Sequence, residues 1–60
     1  MVIRIHSPAN YVVATYKNIH SFKLYDLDNK LLIAYYEYLS EHLRTIDVLP
    51  ECHIEVTNDY

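Results

Sequence analysis

Asp26 to Ile46 reads DLDNKLLIAYYEYLSEHLRTI, the clearest periodic segment of a 60-residue chain, and two architectures compete for it. At about 100° per residue, Leu31, Leu32, Tyr35, Tyr36, Tyr38, Leu39, His42, Leu43 and Ile46 fall within an arc of roughly 160°. Lys30, Glu37, Ser40, Glu41 and Arg44 share the opposite side. The spacing predicts an amphipathic helix of about four turns, and Asp26-Leu27-Asp28-Asn29 supplies short side chains that accept from free helix N–H groups at its start. The competing reading makes Leu31 to Tyr36 a strand, hairpinned to Phe22–Tyr25 across the Asp-rich turn. Persistence of the 3.6 period through Ile46 favours the helix.

Around this segment the pattern is that of strands. Met1 to His6 alternates, with Ile3 and Ile5 on one face and Val2, Arg4 and His6 on the other. Pro8 ends that strand, and Ser7 to Asn10 form a turn. Tyr11 to Lys17 is rich in β-branched and aromatic residues and places Val12, Ala14 and Tyr16 together. Lys17-Asn18-Ile19-His20 can close a hairpin, since Asn tolerates positive φ. In a third strand Phe22 and Leu24 alternate with Ser21, Lys23 and Tyr25. After Pro50 a fourth runs from Cys52 to Thr57, with Cys52, Ile54 and Val56 inward, and little order is expected of residues 58–60. The expected fold is a single α+β domain over residues 1–60, β-β-β-α-β, with one helix across a small antiparallel sheet of about four strands.

Composition narrows the chemistry. The chain has no glycine, which removes the P-loop, the dinucleotide fingerprint, the glycine-flanked nucleophile elbow and the usual calcium loop. No cofactor and no small-molecule substrate are expected. A net charge of −3 works against a sequence-independent hold on nucleic acid. The longest apolar run, Leu31 to Tyr36, is far short of the roughly 18 residues of a membrane span. No secretory leader is expected from Met1-Val2-Ile3-Arg4, and the single Cys52 suits a reducing cytoplasm.

Cys52 and His53, as neighbours on a strand, point to opposite faces, and no metal site is expected. His6 and His53 share the outer sheet face if the first and last strands pair. Arg4, Lys17 and Lys23 on that face with His6, His53 and Tyr25 would be the nearest thing to a small ribonuclease or nucleic-acid site, against which net acidity argues. Tyr16, Tyr35 and Tyr36 have core duties, whereas Tyr11 and Tyr25 point outward. On the helix flank Leu31, Ala34 and Tyr38 make an apolar strip bordered by Glu37 and Glu41 and approached by Asp26 and Asp28. Its plain reading is the rim of a wide core. Its functional reading is an acidic, tyrosine-bearing surface that docks on a basic cleft of another protein.

From MVIRIHSPANYVV through LYDLDNKLLIAYYEYLSEHL to the terminal IEVTNDY, the chain resembles the Dmd-like antitoxins of T-even-type bacteriophages over its whole length. The resemblance implies a non-enzymatic early protein that binds host RNase toxins of the RnlA and LsoA type. It would occupy the toxin's substrate groove and protect phage messenger RNA in the cytoplasm of the infected bacterium. It supplies no contact list; the expected interface of Asp26, Asp28, Leu31, Ala34, Glu37, Tyr38 and Glu41 comes from the pattern.

Overall fold

Residues 31–36 extend rather than coil in the computed structural model, which describes residues 1–58. Six strands form: β1 (Val2–His6), β2 (Val12–Tyr16), β3 (Ile19–Leu27), β4 (Lys30–Glu37), β5 (Arg44–Val48) and β6 (His53–Thr57). They assemble into two three-stranded antiparallel sheets, ordered β2-β1-β6 and β3-β4-β5. The expected α+β fold, with its helix and single four-stranded sheet, is therefore corrected to an all-β one. Among the described residues there is no helix, and so none long and apolar enough to cross a membrane.

The reason lies in β4. As the middle strand of its sheet it has neighbours on both sides. Leu31, Ile33 and Tyr35 face the other sheet, and Leu32, Ala34 and Tyr36 lie on the opposite face. Ile33, Ala34 and Tyr35 are all buried at the middle of the strand, and a central strand with apolar residues on both faces reads as a continuous apolar run. Ile33 is 0% exposed yet falls outside the apolar arc of the expected helix, which would have turned it away from the core. Farther on, β5 alternates on its own account, with Ile46 and Val48 buried and Thr45 and Asp47 exposed. The apparent 3.6 period is the sum of a two-faced strand and an alternating one, separated by a loop.

The acid-rich segment read as a helix cap is a hairpin turn. Leu27 pairs with Lys30, leaving Asp28 and Asn29 at the tip, and Asn29 takes φ 61°. Short polar side chains serve both caps and turns, so the composition alone does not separate the two. Asn10 (φ 69°) and Asn18 (φ 63°) do the same work in their own turns. In a chain without glycine, asparagine fills these left-handed positions at the least steric cost.

The inner faces of the two sheets meet in a core of Ile3 and Ile5 from one side and Ile19, Ile33, Tyr35, Ile46 and Val48 from the other. The rings of Tyr16 and Tyr35 pack across it, 6.2 Å between centroids. Burial, and then the charge of Glu37, raise the Tyr35 phenol above its usual pKa. The sheets are joined at one corner, where the Met1 ammonium donates to the Ile19 carbonyl (2.9 Å) and the Ile19 N–H donates to the Met1 carbonyl (3.1 Å). A register shift between Ile5 and His6 sets Val12 opposite His6, so Val12 leaves the face expected for it and stands exposed, while Ala14 and Tyr16 pack on the core. Cys52 and Ile54 pack inward as expected; Val56 is exposed. β3 is an edge strand of nine residues, all but Ile19 and Phe22 exposed. Asn58 lies exposed outside the strands; the expectation for Asp59 and Tyr60 falls outside the described residues.

Candidate partner-binding surface

A strand cannot present the strip expected of a helix. Leu31 and Ala34 are an odd number of residues apart and lie on opposite faces of β4; Leu31 packs partly on the core and Ala34 is buried. Seven residues rise about 10 Å in a helix but about 23 Å in a strand. The flank of Leu31, Ala34 and Tyr38 is thus taken apart, and the expected interface divides into two groups. At the turn end, Asp26 pairs with Leu31 across the hairpin and Asp28 sits at its tip. At the other end, Glu37 closes β4, and Tyr38 and Glu41 lie exposed in the loop that leads to β5.

Between them the outer face of β3-β4 carries a groove that the periodicity missed. Register places Ser21 opposite Tyr36, Lys23 opposite Ala34 and Tyr25 opposite Leu32. The small Ala34 lies between larger neighbours, and with Ser21, Lys23, Tyr25, Tyr36 and Leu43 it lines a hollow of about 380 Å³. Tyr36, expected in the core, is 39% exposed. Tyr25 and Leu43 are exposed beside it. The available signal was the alternate set Leu32, Ala34 and Tyr36, visible only once β4 is read with period two.

The groove runs into the loop of residues 38–43, whose geometry is unusual. The Ser40 N–H donates to the Glu37 carbonyl (3.3 Å), closing a four-residue turn in which Leu39 is third. Leu39 takes φ 63°, a position that normally goes to Gly or Asn. For a leucine this costs about 1–2 kcal/mol, and its side chain recovers nothing by packing, being 108% exposed. The flanks are held. The Tyr38 N–H donates to the Asn18 carbonyl (3.0 Å), and the Tyr38 ring meets His20 edge-on at 4.9 Å. The His42 N–H donates to Ser40 Oγ (3.3 Å), and a Glu37–Arg44 ion pair spans the base of the loop. Glu41 and Ser40 lie around a second, more open hollow with Leu39, Tyr36 and His20.

On the outer face of the other sheet, β1 and β6 pair so that His6 and His53 are direct partners, as expected if those strands are neighbours. His6 Nε2 lies 3.1 Å from Glu55 Oε1, Arg4 Nη1 lies 3.7 Å from the same oxygen, and Arg4 Nη1 donates to Thr57 Oγ1 (3.3 Å). Lys23 and Tyr25, grouped with these residues in the ribonuclease-like reading, belong to β3 in the other sheet. A histidine, a carboxylate and a guanidinium are the groups of acid–base phosphoryl chemistry, but here they are engaged with one another. Among the described residues no group of three His, Cys, Asp or Glu side chains is placed to hold a metal ion.

No family model, no curated protein and no solved structure matches this chain. The chemistry of its surfaces therefore carries the functional argument. The β3-β4 groove and the adjoining loop expose tyrosine and leucine, the amphipathic and apolar side chains that protein-docking surfaces use, with Lys23 in the groove and Glu41 in the loop beside it.

Proposed function

We propose that the protein is a phage antitoxin of the Dmd-like kind, a non-enzymatic inhibitor of a host endoribonuclease toxin of the RnlA or LsoA type. It acts in the cytoplasm of the infected bacterium by covering the toxin's substrate groove and so protects phage messenger RNA. Besides the full-length resemblance, the observation that carries this reading is the exposed groove of Tyr25, Tyr36 and Leu43 beside a loop bearing Leu39 and Glu41. Desolvating such a surface drives association, and tyrosines dock with little loss of side-chain freedom. A net charge of −3 suits a partner whose groove is built for phosphates, because carboxylates stand in for them and complementary charge speeds encounter. The inhibitor needs no cofactor, no nucleic acid and no small-molecule substrate.

The test is co-expression with an RnlA-type toxin, read as rescued growth together with a complex on a sizing column. Rescue without a complex points to an indirect mechanism and removes the occlusion model.

A second reading rests on His6, Glu55 and Arg4, with His53 alongside: a minimal ribonuclease or nucleic-acid module on the outer face of β1-β6. Cleavage of RNA by the purified protein, lost in His6→Ala and His53→Ala, would support it. Affinity for RNA that falls steeply with salt would mark simple binding.

A further inference from the structure

Asn10, Asn18, Asn29 and Leu39 are the positive-φ positions of the described chain. Three use the residue that tolerates the conformation best after glycine; the fourth uses a bulky aliphatic. Nothing in the fold compensates for it: the Leu39 side chain stands wholly in solvent, outside the core and its surrounding apolar residues. An asparagine there would relieve the backbone and remove an apolar group from water. The leucine is thus at odds with folding on two independent counts, local conformation and exposure. Residues held against local preference by their surroundings are characteristic of binding sites.

We infer that Leu39 is the anchor of the docking surface, an apolar knob that enters a pocket in the partner protein. This rests on the reading of the chain as a toxin inhibitor and adds the residue and the shape to that reading. The loop is pinned on both flanks by the Tyr38–Asn18, Ser40–Glu37 and His42–Ser40 hydrogen bonds, so the knob is set in place before encounter and little freedom is lost on docking. Glu41 beside it carries a charge suited to the cationic rim of an RNA groove. The partner site that fits is a basic cleft with an apolar hole at its centre, the arrangement in which a single buried side chain dominates affinity.

Leu39→Asn tests this because stability and binding should move in opposite directions. Purified wild type and variant are compared by thermal unfolding, and each is titrated against an RnlA-type toxin. The expected result is an unchanged or raised melting temperature with affinity lower by about tenfold or more; Leu39→Met, which keeps an apolar knob, retains most of the binding. If wild type binds and Leu39→Asn binds equally well, the anchor is wrong and the inhibitor reading stands. Wild type that makes no complex removes the inhibitor reading, and the anchor as a toxin contact goes with it. A variant that melts earlier assigns Leu39 to the fold and overturns the inference. So does a wild-type dimer that the variant dissociates in the absence of toxin, which assigns the knob to a second copy.

Discussion

Across β1 and β6, Arg4, His6, Glu55 and Thr57 engage one another through side-chain contacts on the outer face of their sheet, with only the buried Nδ1 of His6 left without a hydrogen-bond partner among the described side chains. Across β3 and β4, the outer face instead leaves Tyr25, Tyr36 and Leu43 around a small central alanine, and among the described residues no side-chain hydrogen bond ties them together. Both faces belong to three-stranded antiparallel sheets that share one core, so the contrast is one of finish rather than architecture. A polar surface most of whose groups already have partners gains little when another protein displaces its water. An exposed aromatic and aliphatic surface gains a great deal. On the proposed reading of the chain as an inhibitor, the difference favours β3-β4 and its loop as the recognition surface.

The contrast presupposes a common core, and its most severe disruption is at Ile33, the fully buried centre of β4. Ile33→Ala is expected to cost about 2–5 kcal/mol, which in a domain holding roughly 3–5 kcal/mol leaves much of the chain unfolded; urea unfolding followed by circular dichroism measures it. Replacing Tyr36 with Ala and Leu43 with Ser should lower toxin affinity by about tenfold or more while the melting temperature moves little. Retained affinity in that double variant would transfer recognition away from the groove. On the quieter face, Glu55→Gln should leave toxin binding within about twofold and change stability by no more than about 1 kcal/mol, as exposed ion pairs do. A large loss of binding there would invert the comparison.

The smallest effect concerns the inner face, where burial and then Glu37 raise the Tyr35 phenol. A group whose pKa is raised on folding holds its proton more tightly in the native state. Its contribution is therefore complete below the ordinary phenol value of about 10 and is lost as pH climbs through the folded value. The drop in urea midpoint between about pH 9 and pH 11 should accordingly be smaller in Tyr35→Phe than in wild type. An identical drop in both proteins would place the alkaline sensitivity elsewhere.

Period-two alternation made β1, β2 and β6 legible, with their inward Ile3, Ile5, Ala14, Tyr16 and Ile54. It failed at β4, because a strand with apolar residues on both faces has no alternation to display, and a neighbouring loop and strand completed a false helical arc. Ile33 lying off that arc was the contrary sign, and Asn29 in a glycine-free chain was a second, since asparagine is what such a chain has for tight turns. Of the expected contacts, Tyr38 and Glu41 are exposed at one end and Asp26 and Asp28 at the other, but the strip that was to join them existed only as a helix. Leu39 was not legible as a knob. Its positive φ belongs to the turn closed between Glu37 and Ser40, whose third position carries neither of the residues, Gly or Asn, that announce such a turn in a sequence.

Pairing of β1 with β6 carries a kinetic consequence. The β1-β2 hairpin and the β3-β4-β5 meander each pair neighbouring segments, whereas β6 must close across some fifty positions to reach its partner, as Ile3 opposite Val56 requires. Until it arrives, one side of β1 has no ladder partner. The uncovered edge of β1 is therefore the place where a partly folded molecule is most open to pairing with another chain.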